Sequence, residues 1–487
     1  MTPTITPFAR SVAISAPIPV AIVVVIEAAT DATDAARPQG KQYEQQHARH
    51  GTAKHEHRVH LHPQRLTQQT PLLRDNARMH RIEPTRAGWR LPGIANLHSH
   101  AFQRAMAGMA ERQGDPDDSF WTWRETMYAM AARFTPELLR DVAAQLYVEM
   151  LEAGYTRVCE FHYLHHRTDG RPHADPAAMS HALIEAARIA GIRLTLLPVL
   201  YMTGGFDGRV LSERQRRFGH DVDAYLCLLE SLREHESDTL KIGCALHSLR
   251  AVPPQAMAEV LDALPVDSRI HIHIAEQMAE VEECVALRGA RPVRWMLEHA
   301  AVDARWTLVH ATHLDADEVR DVAASKATVA ICTSTEANLG DGLFPLRDYL
   351  DAGGRWGIGS DSHISVSPVE ELRWLEYGQR LAMQRRNIAS STSRPSVGET
   401  LLQCAWESAA DSTGFDVIDE VLLDADASVL IGASGTDIAD RWLFAGNRNA
   451  VREVSVAGQP VVVDGRHVRH DETLRNYRAA ITQLLRD

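Results

Sequence analysis

No excess of basic residues, no paired cysteines and no long apolar run are found in this chain, and each absence removes a class of function. Lysine and arginine total 51 against 64 aspartates and glutamates, a net charge of −13, whereas general nucleic-acid or membrane-surface binding calls for basic patches. An acidic substrate would therefore need a locally cationic pocket. The six cysteines, at 159, 227, 244, 284, 332 and 404, include no CxxC pair, so neither a zinc ribbon nor a disulfide framework is indicated. A reducing cytoplasm is the expected compartment. The apolar run Ile18 to Ile26 is too short to span a bilayer. Behind Arg10 and ahead of Ala-rich sequence it has the outline of a weak signal peptide, but nothing downstream has a secreted character.

The chain is 487 residues long, 45% hydrophobic and 24% charged, which suits a soluble globular protein with one barrel-sized domain and a smaller module. Residues 1–85 are of a different texture. They hold Thr/Ala/Gln-rich stretches and six histidines between His47 and His62, without a sustained period of 2 or 3.6. They are read as disordered or non-native; a His-rich metal-buffering tract is the alternative.

From Arg90 onward, strands alternate with helical segments, the pattern of parallel α/β architecture. Eight strand candidates stand out: Ile94 to His98, Thr156 to His162, Arg193 to Leu200, Lys241 to His247, Arg269 to Ile274, Trp306 to Ala311, Thr328 to Thr333 and Trp356 to Ser360. Eight is the number of a (β/α)8 barrel of TIM type. Amphipathic runs such as Pro136 to Ala153, Pro176 to Ala190, Pro254 to Leu264 and Ala316 to Ala324 separate them, with Gly154 and Gly191 placed as helix-ending glycines. Helical runs are expected over Glu370 to Arg386 and Val397 to Ala410. Short β-like pieces follow (Ser428 to Ile431, Val451 to Val456, Pro460 to Val463), then a helix after Asp471. The expected organisation is an atypical region over 1–85, the barrel over 86–415, and a small β-rich module with a terminal helix over 416–487.

The chemistry concentrates at strand ends. The first strand runs into His98-Ser99-His100, whose two imidazoles share a face because side chains two apart on a strand point the same way. The fifth contains His271-Ile-His273 with Glu276 beyond it, the sixth ends in His310, and the eighth leads into Asp361. In a closed barrel the carboxyl ends of all strands form one rim. Three neutral imidazoles and a carboxylate match zinc, which keeps an open position for water in catalytic sites. Alternatives remain at two positions. His271 has the same parity as His273, although His273 lies nearer the carboxyl end; Asp361 could instead cap the helix that begins near Pro368.

These motifs resemble the amidohydrolase superfamily of metal-dependent barrels. The longer strings Leu97-His-Ser-His-Ala-Phe-Gln-Arg-Ala-Met-Ala-Gly108, Phe120-Trp-Thr-Trp-Arg-Glu-Thr-Met-Tyr128, Glu160-Phe-His-Tyr163, His247-Ser-Leu-Arg250 and Thr335-Glu-Ala-Asn-Leu-Gly-Asp-Gly342 are similar to those of formimidoylglutamate deiminases. That resemblance covers residue 90 to the C-terminus. It implies hydrolysis of N-formimidoyl-L-glutamate to N-formyl-L-glutamate and ammonia in histidine degradation. It implies one zinc ion held by His98, His100, His273 and Asp361, and Glu276 as the proton carrier, with His310 and Asp361 orienting water. Substrate contacts fall to Gln103, Arg124, Tyr163, His247 and Arg250. The arginines suit a dicarboxylate because a guanidinium pairs bidentately with a carboxylate; structural ion pairs with Glu125 or Glu160 are the alternative reading.

Family members also carry a β-rich segment ahead of the barrel that pairs with the C-terminal strands. Residues 1–85 do not supply it, so the strands around Val451 to Val463 are expected to lack partners and expose edges. A small dicarboxylate amidine is the expected partner, with no nucleic acid or membrane, and a homodimer is the candidate assembly. Two other functions compete. One is a different deaminase of the superfamily, guanine-type or acting on an amino-heterocycle; the other is a non-catalytic metal-binding protein.

Overall fold

The computed structural model describes residues 81–111 and 120–486, with the side chains of 120–122 excepted. Most of the region expected to be disordered or non-native, residues 1–80, therefore lies outside the described residues.

The first two strands, β1 (Glu83–Pro84) and β2 (Gly88–Pro92), belong to the small sheet taken up below. The parallel barrel is built from β3 (Ile94–Ser99), β4 (Tyr155–His162), β5 (Arg193–Leu200), β6 (Leu240–Ile242), β7 (Cys244–Ser248), β8 (Ile270–Ile274), β9 (Trp306–His310), β10 (Thr328–Ile331) and β11 (Arg355–Ile358). β6 and β7 are two halves of the fourth barrel strand. The break falls at Gly243, where an added Cβ would lie 2.6 Å from Leu197 Cδ2 and 3.1 Å from the Arg269 carbonyl oxygen. Pairing runs in sequence order from β3 through β4 and β5 to β11, and β11 returns to β3, so the eight strands close. Every residue of β4, β5 and β8 is buried, as expected of strands covered on one face by helices and on the other by the barrel interior.

The helices form because apolar residues recur at helical spacing and their ends are chemically marked. In Pro136–Ala153, Thr135 accepts the Leu138 N–H, Pro136 occupies the first turn, and Gly154 at φ 102° ends the helix in a conformation L side chains rarely adopt. The expected runs appear as Ala178–Ala190, Pro254–Ala263, Ala316–Ser325, Pro368–Met383 and Val397–Glu407. His470–Leu484 is the terminal helix.

The strands expected to be unpaired have partners. A second, antiparallel sheet runs β1-β2-β12-β13-β14-β15, with β12 at Glu420–Asp424, β13 at Val451–Val456, β14 at Gln459–Val463 and β15 at Arg466–His467. β2 pairs with β12 over five positions, from Gly88 opposite Asp424 to Pro92 opposite Glu420. The missing complement is thus the decapeptide directly ahead of the barrel, part of which the sequence reading assigned to the barrel itself. Ser428–Ile431 forms turns rather than a strand; Leu430 is buried in the core there, so its apolarity reflects packing and not β-pairing.

The small sheet lies at the amino ends of the barrel strands. Gly93 links β2 directly to β3, and its N–H donates to the Asp419 carbonyl at 2.8 Å. Arg193, the first residue of β5, forms a buried ion pair with Asp419. The carboxyl ends of the barrel strands are left for chemistry.

Candidate active site

His98 and His100 stand at the end of β3, His273 near the end of β8, His310 at the end of β9, and Asp361 just beyond β11. All five are buried, from 0% exposed for His98 to 9% for His273. His98 Nε2 lies 3.1 Å from His100 Nε2 and 3.0 Å from His273 Nε2. Asp361 Oδ1 is 3.3 Å from both His98 Nε2 and His100 Nε2. Four side chains from three strands therefore converge on one point.

Their outer nitrogens explain which atoms face inward. His100 Nδ1 lies 2.8 Å from the Phe161 carbonyl oxygen and His273 Nδ1 3.0 Å from that of His247. A carbonyl only accepts, so each Nδ1 carries the proton and each Nε2 presents a lone pair. Burial, first among the causes, lowers the pKa of all three histidines, although Asp361 opposes it at His100. Neutral imidazole lone pairs and a carboxylate, packed this closely, repel one another unless a cation lies between them. The donor set fits a divalent metal.

The competing assignments resolve. His271 shares the parity of His273 but sits a layer deeper, its Nε2 3.0 Å from the Ser412 carbonyl oxygen, away from the cluster. Asp361 is not a helix cap. The Pro368–Met383 helix is capped by Ser367, whose side chain accepts the Glu370 N–H. Asp361 is instead tied to the first strand, its N–H donating to the His98 carbonyl at 3.0 Å.

Around the cluster opens a cleft. Gln103, Arg124, Tyr163, His247, Arg250, Glu276 and His310 all line it, together with His100, His273 and Asp361, while His98 lies beneath. Gln103 Nε2 donates to the Tyr163 hydroxyl at 3.0 Å. The Arg124 guanidinium sits 5.6 Å from the centre of the Tyr128 ring, and its pKa is lowered by burial and by the nearby Arg250 charge, with Tyr128 opposing. Both suggested carboxylates have other partners. Glu125 pairs with Arg214, and Glu160 accepts from Ser99 Oγ at 2.5 Å, the Ala101 N–H at 2.6 Å and the Tyr147 hydroxyl at 3.2 Å. Arg124 and Arg250 both line the cleft.

In the same cleft, Glu276 Oε1 lies 3.6 Å from His310 Nε2, and Asp361 Oδ2 lies 4.0 Å from it. Burial raises the Glu276 pKa, and Asp361 adds to the rise while His310 works against it. At His310 burial pulls the pKa down, but Glu276, Glu336 and Asp361 together outweigh it. Backbone strain collects at the same rim: Ala275 (φ 51°), His310 (68°), Ala311 (48°), Asp361 (45°) and His363 (62°) all hold left-handed conformations without being glycine, a conformational cost of about 1–3 kcal/mol each that is typical of functional sites.

The chain matches the amidohydrolase family over residues 89–461. The chain belongs to that family. A formimidoylglutamate deiminase of Pseudomonas aeruginosa is 53% identical to this amidohydrolase over 404 residues, covering 81% of the chain and 89% of that protein. Among solved structures, an amidohydrolase from Brucella melitensis is 42% identical, with a TM-score of 0.78 over 83% of this chain and 96% of that one. An atrazine chlorohydrolase from Arthrobacter aurescens, solved in complex with zinc, shares the fold at 23% identity and a TM-score of 0.68, over 80% of this chain and 88% of its own.

Sequence reasoning missed several residues of this amidohydrolase site. Glu160 and Glu336 are buried carboxylates at 2% exposure; Glu160 lies inside the fully buried β4, and a carboxylate in a buried strand was the available signal. His363, 3.2 Å from Ser99 Oγ and 2.9 Å from Ser360 Oγ, braces the backbone beneath the cluster. Trp123 and Tyr128, inside the quoted string Phe120 to Tyr128 but given no role there, also line the cleft, as do Tyr201 and Phe218, which no local pattern announces.

Proposed function

We propose that this amidohydrolase converts N-formimidoyl-L-glutamate and water to N-formyl-L-glutamate and ammonia, in cytoplasmic histidine degradation. The observation that carries the reading is the pairing in one cleft of a His/Asp cluster suited to a metal with two guanidiniums suited to two carboxylates. The Pseudomonas relative, and the absence among the described residues of any helix long and apolar enough to cross a membrane, are consistent with it.

In this reading His98, His100, His273 and Asp361 hold one zinc ion. When bound, zinc supplies Lewis acidity that brings the pKa of water down to about 7. Arg124 and Arg250 take the substrate carboxylates, each with two parallel N–H···O bonds, and fix the amidine end toward Glu276 and His310. Gln103, Tyr163 and His247 complete the walls that orient the chain between those ends. An amide anion is too poor a leaving group to depart, so the nitrogen must be protonated before the C–N bond breaks. Glu276, with its raised pKa, carries a proton from water to that nitrogen, which leaves as ammonia. His310 and Asp361 orient the water and relay the proton it loses during attack to Glu276, so that both protons of the water end on the departing nitrogen.

The test is ammonia release from N-formimidoyl-L-glutamate with zinc present and after chelation. Release that stops on chelation and returns with zinc is the expected result. Failure to release ammonia, with turnover of an amino-heterocycle in the same panel, would overturn the reading.

A further inference from the structure

β10 is the seventh barrel strand, and the string Thr335 to Gly342 that follows it carries no assigned role in the sequence. The structure puts Glu336 there, in the Thr333–Leu339 helix that follows the strand. Its side chain is buried, and its Oε1 lies 3.3 Å from His310 Nδ1 while also accepting the Cys332 N–H at 3.0 Å. The far nitrogen of the same ring, His310 Nε2, faces Glu276 Oε1 at 3.6 Å and Asp361 Oδ2 at 4.0 Å. His310 itself is held at φ 68°. One imidazole thus bridges an oxygen that does not line the cleft and two carboxylates that do.

We propose that Glu336 is a positioning residue for the deimination, holding the His310 ring and its Nδ1 proton so that Nε2 is the nitrogen presented to Glu276 and Asp361. The inference rests on the function proposed above. An ionised carboxylate only accepts hydrogen bonds, so the Nδ1 facing it must carry hydrogen. A histidine's far nitrogen is set by the bond its near nitrogen makes, and the Cys332 N–H fixes the carboxylate in turn. Removing the acceptor frees the ring to turn over and exchange its nitrogens. That fault impairs the chemical step and leaves the substrate carboxylates bound, because Glu336 itself does not line the cleft.

Two replacements separate this role from simple packing. Glu336→Gln keeps an acceptor oxygen, and the Cys332 N–H disfavours the flipped amide that would point NH2 at it. Glu336→Met keeps the bulk and removes the acceptor. For Glu336→Met, kcat is expected to fall about 10–100-fold with KM within about threefold of the parent, and Glu336→Gln should recover most of the loss. Met within about threefold of the parent in kcat, a loss in KM instead, or Gln as impaired as Met would overturn the proposal. Histidine-15N NMR of the zinc-loaded protein gives a readout independent of turnover. The His310 resonance, identified by its disappearance in His310→Asn, should report a protonated Nδ1 in the parent and in Glu336→Gln. A parent ring protonated only on Nε2 would overturn the assignment even if the enzyme acts on a different substrate; a parent that releases no ammonia while the NMR result holds would count against the proposed function alone.

Discussion

The Arg193–Asp419 pair joins the barrel to the small sheet, and Arg193→Met should show how strongly. Arg193 Nε lies 2.8 Å from Asp419 Oδ2 and Nη2 3.0 Å from Oδ1, with side chains 6% and 2% exposed. The replacement strands a buried carboxylate that retains the Ala457 N–H at 2.9 Å. Removing one partner of a buried pair costs about 3–5 kcal/mol, because the surviving charge is left in a poor solvent. Arg157 is near enough to interact with Asp419, which places the expected loss at the lower end, about 3 kcal/mol. Over about 400 described residues, an unfolding entropy near 2.1 cal/mol/K per residue turns that into a Tm lower by about 4 °C. Calorimetry and denaturant titration of the zinc-loaded protein, at fixed zinc concentration, would measure it. Adding Asp419→Asn removes the stranded charge while keeping an acceptor for Ala457, so the double variant should regain about 2 kcal/mol. A single variant losing less than about 1 kcal/mol, or a double variant no more stable than the single one, would refute the reasoning.

Three other outcomes are expected. Glu276→Gln should reduce turnover about 10²–10⁴-fold while zinc content, measured by mass spectrometry, stays at the parent level; parental turnover would remove Glu276 from its role. Arg250→Ala should lower kcat/KM for N-formimidoyl-L-glutamate by about 1.5–3 kcal/mol, the worth of a charged hydrogen bond, and spare an uncharged formamidine; equal loss on both substrates would count against carboxylate recognition. Burial pushes the Glu371 pKa up from 4.5 to about 8, against hydrogen bonds from Ser334. The folded protein therefore keeps a proton that the unfolded chain releases, so the contribution is complete below about pH 4.5 and is lost as pH rises through about 8. Compared with Glu371→Gln, the parent should lose stability across that range by up to about 1.4 kcal/mol per pH unit, and parallel Tm curves for the two would contradict the assignment.

The barrel was legible because its strands are buried on both faces and are short, largely apolar runs alternating with amphipathic helical segments, with Arg193–Leu200 placed to the residue. Ligand parity was legible as well, since His98 and His100 are two apart on one strand. Depth was not. His271 and His273 differ by one layer of the barrel, and only the Ser412 carbonyl opposite His271 shows which layer faces the chemistry. Pairing over distance was equally hidden. Gly88–Pro92 has little of the alternating pattern of an antiparallel strand, and its partner lies at Glu420–Asp424. The break at Gly243 depends on Leu197 and Arg269, neither of them adjacent in sequence. Glu336 occupied a string that matched the family, but its meaning appeared only with His310 Nδ1 beside it.

The clasp between β2 and β12 also orders events during synthesis. Gly88–Pro92 emerges about 330 residues before Glu420–Asp424, a wait of about 15–65 s at common translation rates of about 5–20 residues per second. Throughout that interval β2 has only the two-residue β1 as a sheet neighbour, and its other edge is open to any passing strand. A chain ended after the barrel, near residue 415, would never receive its clasp. The separable unit for expression or design is therefore the barrel together with the strands on both sides of it, and a nascent chain of this protein is most exposed to aggregation just before its last seventy residues are made.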